Sequence, residues 1–199
     1  MDMKDTFRIV RDFAKKLSDS EDIHGFPHVK RVFNLCIYIG TKLNANLTIL
    51  KIAAFLHDIG RNIKKNDNLK ENHAEISANL ALSLLKSQDF DLSEQEIMNI
   101  IHCIKSHSFS NKKEPKTLEA QILSDADKLD AIGAIGLYRT IGFTIKNNGD
   151  LNNVIQHIEE KIINLKDMLL LDISKKIAEK RHKIILDFYN QIKFETDLE

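Results

Sequence analysis

Tight-turn residues and covalent staples are both scarce in this chain. Seven Gly, two Pro and two Cys serve 199 residues, and Trp is absent. So little Gly and Pro leaves few hairpin turns for an all-β fold. Val occurs only four times against heavy use of Ile, Leu, Lys and Glu, a balance that favours helices. Cys36 and Cys103 belong to no CxxC motif and sit among apolar helical neighbours. Both are read as buried, unreactive thiols. No run approaches the roughly 18 apolar residues of a membrane span. The N-terminal MDMKDTFRIVRDF lacks the apolar core of a signal peptide. The expected location is the cytoplasm. Charge of one sign is missing too, because 29 Lys and Arg balance 29 Asp and Glu. General nucleic-acid binding, or adhesion to an anionic membrane, needs a basic excess that this composition lacks.

What is present is an ordinary globular composition, 43% hydrophobic and 29% charged, which suits a single domain. Val29, Val32, Phe33, Cys36, Gly40 and Leu43 follow the three-and-four rhythm of one helix face. Ala74, Ser77, Ala78, Ala81 and Leu85 repeat it, as do Ile97, Ile100, Ile101 and Ile104. No segment alternates as a half-buried strand does. The spacing predicts helices over about 3–18, 26–43, 47–60, 72–87, 93–107, 116–145, 152–171 and 172–193. Pro27 suits a first helical turn, and Ser93 with Glu96 forms a capping-box signature. Asn- and Lys-rich linkers are expected at 61–72, 108–116 and 147–153. The expected fold is an all-α bundle of residues 1–199. Its core spans about 20–145, and a C-terminal helical pair at about 152–193 packs on it.

Polar groups stranded in apolar helices carry the functional signal. Ile49 to Ile59 reads ILKIAAFLHDI, apolar nearly all round, with His57 and Asp58 near its end. A buried carboxylate needs a cation or several donors, and a helix C-terminus offers it no favourable charge. His28 lies on the apolar stripe of its own helix. Taken singly, a satisfied core residue explains each of these. His24 and His28 also have HxxxH spacing, which Pro27 weakens as a clamp by suggesting that His24 precedes the helix. In SDADKLD (124–130), Asp125 and Asp127 lie about 200° apart on a helix, so only one is expected to face inward. Asp127 shares its face with Leu123, Ala131 and Ala134, and the small residues that follow suit a close approach of another helix or a ligand. Two histidines and two carboxylates make a mixed N/O donor set. It suits Mn, Fe, Co, Ni or Zn better than calcium.

His28, then His57-Asp58, then Asp127 reproduce the H…HD…D order of the HD-domain metal-dependent phosphohydrolases. HGFPHVKRV, AAFLHDIG, HAEISA, IKSHSF, the stretch from EPKTLEAQ to GAIGLYR, and KIINLKDMLLLDISKKIAEKRHKI also resemble blocks of a stand-alone bacterial subfamily related to nucleotide pyrophosphatases. The match runs from about residue 20 to 190 and implies a single-domain helical bundle of HD type. It makes His28, His57, Asp58 and Asp127 ligands of one divalent ion (Mn, Fe, Co, Ni, Zn or Mg), with a second metal allowed. His73 and His107 match positions that hold a second ion or contact substrate phosphate. His102 and His107 are about 140° apart on a helix, so His107 is the one expected to face the site. Arg31, Lys128 and Arg139 are candidates for phosphate binding. Some relatives place an acidic general base after the HD pair. Here Ile59-Gly60-Arg61-Asn62 follows, so the base falls to Asp58, as base or water orienter, or to a neighbouring histidine.

The resemblance implies metal-dependent hydrolysis of a phosphate ester or anhydride in a small phosphorylated substrate, in the first place a nucleotide. A di-iron oxygenase of the same fold is one alternative, and a non-catalytic, metal-stabilised binding module is another. A monomer and a homodimer both fit, the latter through the last two helices.

Overall fold

Caps and apolar spacing act together in forming the helices. The computed structural model describes residues 2–63, 72–108 and 111–197. Parts of two expected linkers, 64–71 and 109–110, lie outside the described residues. Among the described residues all regular structure is helical, in nine α-helices and two short turns of other pitch. None of these helices is long and apolar enough to cross a membrane.

The chain divides into two compact units, Met1–Ala126 and Asp127–Glu199. The first holds α1 (Met3–Leu17), α2 (Phe26–Lys42), α3 (Leu47–Leu56), α4 (His73–Ser87), α5 (Glu94–His107) and most of α6 (Leu118–Asp130). Helix α3 is its centre: α1, α2, α4 and α5 all pack on it. Seven of its ten residues are buried, as its nearly all-round apolar sequence requires. Asn46 caps α3 by accepting from the amides of Thr48 and Ile49. Ser93 and Glu96 close the expected capping box on α5. Both thiols are buried, and burial pushes that of Cys103 well above its ordinary range.

The second unit holds α7 (Ala134–Lys146), α8 (Leu151–His157) and α9 (Asp172–Thr196), with a π turn at Ile158–Ile162 and a 3₁₀ turn at Ile163–Met168 joining the last two. Two expectations are corrected here. The helix expected over 116–145 is broken at Gly133, whose φ of +92° lies in the left-handed region that favours glycine. A Cβ there would meet Arg181 Cβ at 3.0 Å, so the small residue admits α9. The helix expected over 152–171 is an α-helix only to His157 and changes pitch from there to Met168.

Candidate metal centre

Helix α3 ends at Leu56, and His57 and Asp58 open the turn that follows it. The His57 ring is fully buried, and its Nδ1 donates to Ala54 O at 2.8 Å. That bond fixes the tautomer and leaves the Nε2 lone pair facing inward. His28, on the first turn of α2, is equally enclosed, and its Nε2 lies 3.4 Å from His57 Nε2. Asp58 Oδ2 is 3.7 Å from His28 Nε2 and 3.9 Å from His57 Nε2.

The other oxygen of the same carboxylate faces a second imidazole pair. His73, the first residue of α4, puts Nε2 3.4 Å from Asp58 Oδ1. His107, the last residue of α5, puts Nε2 at 3.5 Å. His107 Nδ1 donates to Ile104 O at 2.6 Å, the same locking bond as in His57. Its Nε2 is buried without a hydrogen-bond partner, an arrangement proteins avoid unless the atom has another use. Two sets of donors therefore share Asp58, an inner one with His28 and His57 and an outer one with His73 and His107.

These donors fit a metal ion. Ligands about 2.0–2.2 Å from a common ion sit about 3–4 Å from one another, the spacing seen here. Imidazole nitrogens turned toward a buried carboxylate are what a divalent ion of borderline softness takes. Burial alone would raise the Asp58 pKa. Arg61 first, then His57 and His107, overcome that and hold the carboxyl well below its ordinary range, so the ligand is ready in its charged form.

Arg61 is the residue that sequence reasoning passed over, noted there only where relatives carry an acid. Its Nε donates to Asp58 Oδ2 at 2.7 Å, and its NH2 donates to Asp58 Oδ1 at 3.1 Å. The same NH2 lies 3.3 Å from His73 Nε2. The signal was available, because Asp and Arg three positions apart meet on one side of a turn.

His102 Nε2 accepts from the Lys116 amide. Arg31 is bound to the Asp22 carboxylate and carbonyl, each at 3.0 Å. Arg139 is buried against Asp130, 2.8 Å away. Lys128 and Asp127 are half-buried. The expectation that Asp125 points away from the interior is corrected: its exposure is 0%. Residues 122–126 are all buried, so α6 has no outward face there and a one-sided wheel misjudges it.

A brace joins the ends of α4 and α5 that carry the outer histidines. Glu75 accepts from Lys105 and Lys113, and from Asn111 at 3.1 Å. Asn111 also donates to Lys105 O at 2.7 Å, one of the last carbonyls of α5. Burial would raise the Glu75 pKa, but these donors lower it from 4.5 to about 2. The carboxylate thus stabilises the fold above about pH 4.5, and this contribution fades as pH falls toward 2. Thermal melts of Glu75→Gln should therefore lie below wild type at pH 7 and converge on it only as pH falls to about 2. A gap unchanged with pH would contradict this.

A helical protein that gathers four imidazoles around one buried carboxylate belongs among metal-binding helical bundles. The family model described as HD domain matches residues 25–132, and the chain belongs to the HD-domain family. It is 33% identical to the uncharacterized protein YpgQ of Bacillus subtilis over 184 residues, 88% of this chain and 86% of YpgQ. The crystal structure of YpgQ in complex with ADP aligns with a TM-score of 0.79 and 27% identity, over 98% of this chain and 97% of that one. A Lactobacillus plantarum structure gives 0.81 and 25%, covering 100% of both chains. An HD-superfamily hydrolase of Bacillus thuringiensis shares the fold at 0.74 and 24%, again over 100% of both.

Proposed function

We propose that this protein is a divalent-metal-dependent hydrolase of a phosphate ester or anhydride, and that its substrate is a nucleotide. The observation that carries the proposal is the inner set: two imidazole nitrogens and an ionised carboxylate oxygen, all buried and all turned toward one point. The crystal structure of YpgQ with ADP supports a nucleotide as the ligand class, and the resemblance to nucleotide pyrophosphatases points the same way. Asp127 is proposed as the fourth ligand on the strength of the H…HD…D order.

A bound divalent ion would supply Lewis acidity toward a phosphoryl oxygen and a lowered pKa for water. The chain supplies orientation and charge. The carbonyl of Ala54 holds the His57 ring through Nδ1 and aims its Nε2 inward. Asp58 stays ionised and can orient a water molecule through whichever lone pairs its partners leave. His107 Nε2, held 3.5 Å from Asp58 Oδ1 by the Nδ1 bond to Ile104 O, is placed to exchange a proton with a water at that carboxylate. Exclusion of bulk water by the buried surroundings strengthens each of these interactions.

A screen of nucleotides and phosphate esters against Mn, Fe, Co, Ni, Zn and Mg, with products identified by mass, tests the proposal. Hydrolysis of a nucleoside di- or triphosphate with at least one metal is the expected result. A protein that binds metal yet turns over nothing would revive the binding-module alternative. Turnover that needs a reductant and oxygen would favour the di-iron one.

A further inference from the structure

A cation stands on the buried stripe of α9. Ser174, Ala178 and Ile185 are fully buried, and Arg181 completes their four-three-four spacing. A guanidinium there has to find acceptors, and it finds one at the end of α6, where its NH1 donates to Leu129 O at 2.6 Å. That carbonyl belongs to the last turn of α6, Asp127 to Asp130, which carries the negative end of the helix dipole. It also accepts from the Ile132 amide at 3.3 Å. Gly133 admits the arginine, since a Cβ there would meet Arg181 Cβ at 3.0 Å and Cγ at 3.1 Å.

The same turn is held a second time, through Asp130. This residue is 2% exposed and lies at the helix end where negative charge is least favourable. Arg139 of α7 pairs with its carboxylate at 2.8 Å. The Asp130 charge also acts on Arg181, whose pKa is lowered by burial and raised in part by that carboxylate. Two arginines from two helices thus clasp one helical turn, one by its backbone and one by its side chain. All of these residues lie in the second unit.

Helix ends fray unless they are tied down, and a metal ligand has to hold its place to within about 0.5 Å. Asp127 begins the turn that Arg181 ties, two residues before Leu129. We propose that Arg181 is a positioning residue for Asp127, fixing the backbone of the turn that supplies the fourth metal ligand. This rests on the reading of Asp127 as that ligand. His28, His57 and Asp58 belong to the first unit, so loss of the clasp should act on the metal through Asp127 alone.

A double-mutant cycle on Mn affinity tests this. Chelator-stripped wild type, Arg181→Ala, Asp127→Ala and the double variant are titrated with Mn, free ion being read by electron paramagnetic resonance and the fold by circular dichroism. Arg181→Ala should weaken binding about 10-fold, as loss of an outer-shell partner does, and Asp127→Ala at least as much. The double variant should bind no more weakly than Asp127→Ala. Arg181→Lys, which keeps a donor for the carbonyl, should recover most of the loss. Wild-type affinity in Arg181→Ala beside a weakened Asp127→Ala would overturn the proposal and leave the ligand reading standing. So would an equal loss from Arg181→Ala in both backgrounds, the mark of general loosening. Wild-type affinity in Asp127→Ala would instead overturn the ligand reading, and the proposal with it. Should Arg181→Ala fail to fold, Arg181→Gln, too short to reach the carbonyl, takes its place in the cycle.

Discussion

Replacing Asp58 with alanine is expected to lower kcat by at least about 100-fold, since loss of an outer-shell partner alone costs a metal site about 10- to 100-fold. Asp58 is more than that, because both its oxygens face imidazole pairs and Arg61 binds it through two bonds. Metal affinity and turnover should fall together. The fold should survive, for a buried carboxylate carries a desolvation cost that its removal relieves. Arg61, whose side chain is 30% exposed, can turn toward water once its partner is gone. Circular dichroism, metal content and steady-state kinetics on the same preparation check all three points. Wild-type activity in the variant at saturating metal would remove the hydrolase proposal.

Gly60→Ala is expected to have the largest effect on stability of any single methyl added to this chain's site. A Cβ at Gly60 would lie 2.6 Å from the Ser77 amide nitrogen, 2.8 Å from Ile76 Cβ and 2.9 Å from His73 O. Two of these are backbone atoms of α4 that cannot rotate away. Relief requires α4 to shift from the turn after α3, with loss of the Gly60–Ser77 bond. Overpacking of this kind costs about 1–3 kcal/mol, and in a chain of this size each kcal/mol moves Tm by about 2–4 °C. The same shift carries His73 away from Asp58. A thermal melt indistinguishable from wild type would show that the turn and α4 are not in close contact.

Much of this was readable from residue types and spacing. An apolar helix ending in His-Asp, a histidine on an apolar stripe and a strict three-and-four rhythm gave the helical architecture and the inner donors. Capping chemistry gave the start of α5, because Ser93 and Glu96 act within four residues. What escaped the sequence depended on backbone turns. Gly133 reads as a helix residue until its positive φ is seen, and the wheel that turned Asp125 outward assumed a helix with a free face. Arg61 was judged by what it replaced. Its own carboxylate partner stood three residues upstream, but the meaning of that pair appears only once His73 arrives from α4. Arg31 and Arg139, cations near a motif, each pair with an acidic side chain, Asp22 and Asp130, partners that the sequence pattern alone does not show.

The central claim is that His28 and His57 bind a divalent ion through nitrogen. Pulsed electron paramagnetic resonance of the Mn-loaded protein tests it directly. Nitrogen couplings from two imidazoles should appear at one equivalent of Mn, and one of the two should vanish in His57→Ala. A bound Mn signal with no nitrogen coupling would contradict the account.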